Sequence, residues 1–497
     1  MLPQAPARAG KTVRRLPIAL VALVLTLPLM EIGPPVATAQ LPGMPVQDSL
    51  QQVYHAGAAG VPSTAVPDCV APDDPPGCYG GEKLVLQAAG IGQTAMEPTI
   101  GVAGDGTAYM AGSTMVIDTP AVWGVAKTDA RRSTDGGLTW TSVQPAIPVV
   151  GERLPPGNAD PMIYVDPGTS RIFTFDLLGA CQWLSYSDDK GVTWTHNPLA
   201  CGAGDIPIDH QTIVAAKPRA LPANPAYPNF LYYCTNRLSE SACGRSEDGG
   251  TQWEDSGEPA YPEEHVCHGL HGHLEADPEG RIFLPSSQTC GVPWVAISED
   301  AGQSWTQVQV STMTSRIPHT SIASDSAGNL YYVWINDDNG VILPYLSTST
   351  DHGRTWSAPR MIAPPGVRRA NFPVVAGGDP GEVAISFPST TKTGALSWDQ
   401  TVVITEDALG ADPIFLSATG NPPNDPIHRG NCTGRCGGLW DFIDIQISAA
   451  GEAWVATSDD CSGTCNSTPM ASNLKAGDGI AIRQIGGPLL RTPPSGS

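Results

Sequence analysis

Short runs of alternating apolar and polar residues recur along this chain, and a turn rich in Gly, Asp or Asn soon breaks each one. Thr99–Ala103 meets Gly104-Asp105-Gly106 and resumes as Thr107–Ala111. His273–Ala276 turns at Pro278-Glu279-Gly280 into Arg281–Leu284, and Thr320–Ser324 turns into Asn329–Trp334. The same layout joins Asn371–Val375 to Gly381–Ile385 and Asp441–Ile445 to Gly451–Val455. A period of two closed by a tight turn predicts β-hairpins. With Asp160–Val165 and His210–Val214 there are seven such openings.

Between hairpins runs an octapeptide of the form Ser-x-Asp-x-Gly-x-Thr/Ser/Gln-Trp. It occurs at Ser133–Trp140, Ser187–Trp194, Ser246–Trp253, Ser298–Trp305 and Ser349–Trp356, at spacings of 54, 59, 52 and 51 residues. Its chemistry is that of a hairpin tip. The Asp carboxylate accepts turn amides two residues on, the Gly takes a positive φ, and the Trp opens the next strand with a large apolar face. These aspartates are therefore assigned to architecture, and His352, inside the fifth copy, is expected to face solvent. A hairpin, a third strand into the tip and a fourth after the Trp make one four-stranded propeller blade. The fold predicted is an all-β, seven-bladed β-propeller of antiparallel blades with six blades the alternative, five of them carrying the octapeptide.

Composition agrees with many short strands. The chain holds 54 Gly and 48 Pro, is 41% hydrophobic, and has only 15% charged residues. Its 49 acidic against 27 basic side chains leave a net charge of −22, which argues against nucleic-acid partners. Arg8, Lys11, Arg14 and Arg15 precede the apolar run Leu16–Met30, and Ala37-Thr38-Ala39 offers a cleavage site. Residues 1–39 read as a secretory signal peptide. Residues 40–85 read as a Pro/Gly/Ala-rich extension, 86–490 as one propeller domain and 491–497 as a tail. No later segment is apolar enough to span a membrane, so an exported, monomeric protein is expected. The 12 cysteines suit an oxidising compartment. Neighbours Cys69/Cys78, Cys181/Cys201, Cys234/Cys243 and Cys267/Cys290 are expected to pair. Cys432, Cys436, Cys461 and Cys465 allow either neighbour or crosswise pairing, with a zinc site as the rival.

The five octapeptides resemble the Asp-box, or BNR repeat, of the sialidase-like β-propeller superfamily, over roughly residues 90–490. That resemblance implies a fold shared by exo-sialidases, other glycoside hydrolases and non-catalytic propellers. Two features depart from the sialidases, which have six blades. The sole Arg-Ile-Pro, Arg316-Ile317-Pro318, lies between the fourth and fifth boxes and follows Ser315 instead of Phe or Tyr. Neither the sialidase arginine triad nor its Tyr–Glu pair transfers to positions of this chain.

In a propeller the first strand of each blade lines the channel, and ligands lie where those strands begin. Aligned on their turns, the seven hairpins begin at Glu97, Asp160, His210, His271, His319, Asn371 and Asp441 or Asp444. All are polar and most can ionise. Glu97, Asp160, Asp441 and Asp444 are candidate carboxylates for glycosidic cleavage, which needs an acid paired with a base or nucleophile. His271 and His319 are candidate proton carriers. His210, Asn371, Arg316, Arg368 and Arg369 are candidate substrate contacts, the arginines suiting an anionic sugar. Four of the ten histidines fall at His265, His268, His271 and His273. His271 and His273 would share a strand face and could hold a divalent metal. The reading is a secreted, sialidase-like glycoside hydrolase acting on an extracellular glycan or glycoconjugate. A glycan- or protein-binding propeller and a polysaccharide lyase are the alternatives.

Overall fold

The computed structural model describes residues 43–66, 82–113, 128–143, 147–149, 152–154, 160–178, 181–201, 208–237, 239–255, 257–315, 320–338, 341–392, 397–430, 442–461 and 477–493. Every regular element among them is a β-strand, and no helix among them is long and apolar enough to cross a membrane.

One plan repeats. Met96–Val102, Ala108–Ser113, Thr128–Ser133 and Thr141–Ser142 pair antiparallel in chain order, and the first Asp-box joins the last two. The same order runs from Met162–Val165 to Thr195–Cys201, from Ile208–Ala216 to Glu254–Asp255, and from Glu275–Ala276 to Thr306–Gln309. Within a larger sheet, Ser321–Ser324 through Arg360–Met361 follows it with the fifth box. Val374–Gly377 through Ile414–Thr419 follows it without one. The last set, Asp444–Ile447, Ala453–Asp459 and Asp478–Gly486, is completed by Val85–Thr94 from the N-terminal side. Strands from the N-terminal and C-terminal sides of the described residues thus share one sheet.

The first strand of each set packs on the first strand of the next, and Asp444–Ile447 returns to Met96–Val102. These first strands are the inner strands of a propeller. Apolar faces fill the space between consecutive sheets, as where Phe173, Phe175 and Leu184 meet Ile213, Leu231 and Tyr233. Burying each such phenylalanine contributes about 1.5–3 kcal/mol.

The octapeptides are tips of one geometry. In the first, Ser133 Oγ donates to Asp135 Oδ1 at 2.8 Å and accepts the Gly137 N–H at 2.9 Å. Asp135 Oδ1 also accepts the N–H groups of Leu138 and Thr139, three and four residues on instead of two. The same contacts in the second box, led by the Thr193 hydroxyl, hold the Asp189 carboxyl down at about 2. The box glycines need both their positive φ and their lack of a side chain. A Cβ on Gly137 would lie 3.0 Å from Trp454 of the last sheet, and on Gly191 or Gly353 within 3 Å of Val143 or Ile297 of the preceding sheet. Each box therefore clamps its own sheet to the one before. His352 is half-buried instead of solvent-facing, because Arg281 Nη1 approaches its ring at 3.2 Å and Asp277 lies 3.7 Å away.

Segments of the N-terminal extension pair with strands of the sheets. Gln52–His55 adds to the outer edge of Ile414–Thr419, and Gly57–Ala58 pairs with Arg360–Met361. Cys234–Cys243 and Cys267–Cys290 are disulfides, and Cys181 sits opposite Cys201 in the second sheet's ladder. Cys461 is also disulfide-bonded, whereas Cys69, Cys78, Cys432, Cys436 and Cys465 lie outside the described residues.

Two glycines separate the backbone demand from the packing demand. Gly106 has φ +81° and open space around it, whereas Gly191 has φ +82° and Val143 at 2.8 Å from a new Cβ. Gly106→Ala is expected to cost about 1 kcal/mol, from left-handed backbone strain alone. Gly191→Ala should cost a further ~1–3 kcal/mol from overpacking. Urea unfolding midpoints of the two variants check this; equal losses would mean the box does not clamp the neighbouring sheet.

Candidate functional site at the inner-strand mouth

The inner strands all begin at one end of their sheets, opposite the Asp-box tips. Two of them begin with a β-bulge. Pairing slips between Met96 and Thr99 in the first sheet, and between Asp209 and Thr212 in the third. Inside those bulges Glu97 and His210 take φ of 52° and 53°, a left-handed conformation that costs non-glycine residues energy and that redirects a side chain. Phe372 takes φ 42° at the corresponding place in the sixth set. The register there is therefore one residue later than the sequence alignment has it. Asn371 is fully buried, donates its N–H to the Pro388 carbonyl and turns its Oδ1 to the Phe372 N–H.

Three imidazoles from two sheets converge. The His210 ring centroid is 5.7 Å from His271 and 5.6 Å from His273. Phe442, from the last sheet, reaches in and packs edge-on against His210 at 5.3 Å and His273 at 5.1 Å. No periodicity singled out Phe442; only ring closure brings it there. Burial, followed by the neighbouring His210 and His271, pushes His273 down to about 3, so it is neutral at physiological pH. His271 is buried and its Nδ1 donates to the Gly272 carbonyl at 2.9 Å, which in the neutral ring leaves Nε2 as the acceptor.

The carboxylates divide by depth. Glu97 and Asp160 lie buried at the mouth, and Asp160 Oδ2 accepts the His210 N–H at 3.1 Å. Asp444 sits farther down the channel, level with Thr99. Its Oδ2 accepts the Ile100 N–H at 3.0 Å and its Oδ1 the Ile445 N–H at 2.8 Å. Burial pushes Asp444 up to about 7. Glu275, two residues below His273, was missed because it belongs to no motif. Burial, reinforced by Asp277 and Asp444, pushes it up to about 8, although it accepts the Ser324 N–H. Asp444 and Glu275 stand on the inner strands of different sheets.

The histidine-rich stretch divides in two. His271 and His273 join the mouth. His265 instead packs on Tyr261 and Trp294 at 5.4 and 5.1 Å, and its Nδ1 accepts the Cys267 N–H. His268 Nδ1 donates to the His265 carbonyl. Among the described residues no three His, Cys, Asp or Glu side chains are arranged to hold a metal ion. Arg368 is exposed and Arg369 half-buried on the short strand Arg369–Ala370, and neither shows a contact with the imidazoles among the described residues. Arg316, His319 and Asp441 lie outside the described residues.

The raised carboxyls set a pH dependence. A carboxyl whose folded pKa exceeds its unfolded value binds more protons when folded, so its stabilising effect is complete at low pH and is lost as pH rises. For Glu275 and Asp444 that loss falls between about pH 4 and pH 8. Glu275→Gln keeps an acceptor for Ser324 without a charge. The Tm of Glu275→Gln should therefore fall less than that of the wild type between pH 5 and pH 8 in a thermal scan, and parallel curves would show that Glu275 does not titrate there.

A BNR repeat-like domain matches residues 228–378. Xyloglucanase Xgh74A of Acetivibrio thermocellus is 26% identical over 257 residues, 45% of this chain and 28% of the xyloglucanase, so the chain spans little more than a quarter of that relative's length. Among solved structures, a protein of unknown function from Dyadobacter fermentans aligns with 80% of this chain and 97% of its own at 14% identity and a TM-score of 0.45. The Hadza microbial sialidase Hz136 aligns with 76% of this chain and 95% of its own at 12% identity and a TM-score of 0.42. The five Asp-box tips, the succession of four-stranded sheets and the BNR repeat-like domain matched over residues 228–378 make the chain similar to the Asp-box β-propellers of the sialidase-like superfamily.

Proposed function

We propose that this protein is a secreted, carbohydrate-active propeller of seven blades that cleaves an extracellular glycan at the inner-strand mouth. The blade number is supported by the unbroken succession of inner strands from Met96–Val102 round to Asp444–Ile447. Secretion is supported by the disulfides and by the signal-like first 39 residues.

One observation carries the choice of site. Two ionisable residues, Glu97 and His210, are held in left-handed bulges at equivalent starts of two sheets. Backbone strain of about 1–3 kcal/mol at a residue persists only where the surroundings enforce it, and it concentrates at functional positions. The bulge at His210 sets its ring where His271, His273 and Phe442 meet, and the equivalent bulge holds Glu97 at the start of the first sheet's inner strand.

The chemistry follows from what each group can hold. Glu97 is the mouth carboxyl best placed to exchange a proton with a glycosidic oxygen or to face the anomeric carbon. His271 offers Nε2 as an acceptor, and His273, kept neutral by burial, can pass a proton without carrying a permanent charge. Asp444 already accepts two backbone N–H groups, so its first role is structural. A divalent metal on His271 and His273 is the other use of the same imidazoles. Phe442 gives the mouth an apolar wall against which the CH face of a sugar can lie.

A lyase is the second reading, in which His271, whose Nδ1 is engaged by the Gly272 carbonyl so that Nε2 faces away from it, or His319 removes the proton next to a uronate carboxylate neutralised by an arginine. The binding-module reading predicts affinity with no product.

Reducing-end release from a panel of plant, algal and animal polysaccharides tests the proposal. Glu97→Gln and His271→Ala should each lower kcat by about 10²–10⁴, the usual worth of a positioned proton-transfer group. A product absorbing in the ultraviolet would select the lyase, and tight binding without product the binding module. Activity unchanged after chelation and dialysis would remove the metal.

A further inference from the structure

Asp160 and Gln211 form a two-point clamp between the second and third sheets. Asp160 Oδ2 accepts the His210 N–H at 3.1 Å, and Gln211 Nε2 donates to the Asp160 carbonyl oxygen. Both residues are buried, at 8% and 3% exposure, so neither bond is shared freely with bulk water. The bonds grip two consecutive residues of the bulge that breaks pairing between Asp209 and Thr212. Within that bulge His210 has φ 53°, and its ring lies against His271, His273 and Phe442.

A left-handed histidine relaxes toward ordinary strand geometry unless something holds it, and such a change would swing its side chain out of the cluster. The grip needed is an acceptor for the His210 N–H and an acceptor for the Gln211 amide. Asp160 supplies both, one from its side chain and one from its backbone. Its carboxylate is thus aimed at a backbone N–H of the neighbouring sheet.

We propose that Asp160 is a positioning residue and not the acid, base or nucleophile: with Gln211 it holds the left-handed bulge that delivers the His210 imidazole to His271 and His273. This rests on the reading of the mouth as the reacting site, but the clamp itself is observable without any substrate. It also separates the two mouth carboxyls, leaving Glu97 for chemistry and Asp160 for geometry.

The substitution series distinguishes the roles. Asp160→Ala removes the side-chain acceptor and is expected to lower kcat about 100-fold, the scale of an ångström of misplacement at a reacting group, with KM changed little. Asp160→Asn keeps an oxygen that accepts the His210 N–H, and should restore most of the rate lost in the alanine variant. Gln211→Leu, which leaves the Asp160 carboxylate in place, should reproduce the alanine phenotype. A catalytic carboxylate would give the opposite pattern, with Asn as damaging as Ala and Gln211→Leu harmless.

Imidazole resonances of the full-length protein, read by long-range ¹H–¹⁵N correlation, give the substrate-free arm. The His210 and His273 signals should move in Asp160→Ala and Gln211→Leu and stay near wild type in Asp160→Asn. Unmoved signals in both disrupting variants would overturn the clamp. Moved signals in a protein that cleaves none of the glycans would instead confirm the clamp and overturn the proposed function.

Discussion

The edge of an inner strand is the constraint on which this molecule depends. Each such strand ladders with its own sheet on one side only, and its other edge turns toward the next sheet without a backbone partner. A buried N–H left without an acceptor costs about 1–3 kcal/mol. The structure meets that demand with side chains. Thr99 Oγ1 accepts Ile163 N–H at 2.7 Å, Thr212 Oγ1 accepts Leu274 N–H at 2.8 Å, and Ser321 Oγ accepts Val375 N–H at 3.2 Å. One step deeper, the Tyr164 hydroxyl accepts Ala215 N–H and Gln446 Oε1 accepts Val102 N–H. Asp444 on Ile100 and Glu275 on Ser324 belong to the same pattern.

A polar channel lining is therefore first a consequence of ring architecture. The seam from the sixth set to the last shows the converse. Val374 and Ala376 carry no acceptor at the equivalent inner positions, and hydrogen bonding between those sheets moves outward. Gln400 there takes the Thr457 hydroxyl and donates to Ser386, and His428 pairs with Asp460. The proposed function draws on side chains that the seams do not use. Glu97, His210, His271 and His273 lie above the seam acceptors, where bulges turn side chains inward. The seam carboxyls Asp444 and Glu275 are raised toward neutrality, whereas Asp189 in an exposed box tip is held ionised by its hydroxyl and amide donors.

Much of this was legible in the chain. The boxes gave strand order because Ser, Asp, Gly and Trp each have one mechanical task in the tip. The hairpin turns located the inner strands, and counting back from those turns found Glu97, Asp160, His210 and His271. The count erred by one at Asn371, since a bulge inserts a residue that alternation does not register, and Phe372 holds the strained position instead. It could not separate Asp444 from the mouth carboxyls, because depth along a strand shows only through its partner across the seam. Glu275 and Phe442 carry no local signal at all. One becomes a channel carboxyl and the other the wall of the imidazole cluster only once distant sheets are brought together.

The most direct measurement is a crystal structure of the Glu97→Gln variant soaked with an oligosaccharide. Density for a sugar at the inner-strand mouth, within hydrogen-bond reach of residue 97 and the His210, His271 and His273 imidazoles, is the expected result. Density confined to the opposite face, in the 340 Å³ cleft lined by Glu299, Asp300, His352 and Arg354, would place recognition on the Asp-box side and leave the mouth without a role.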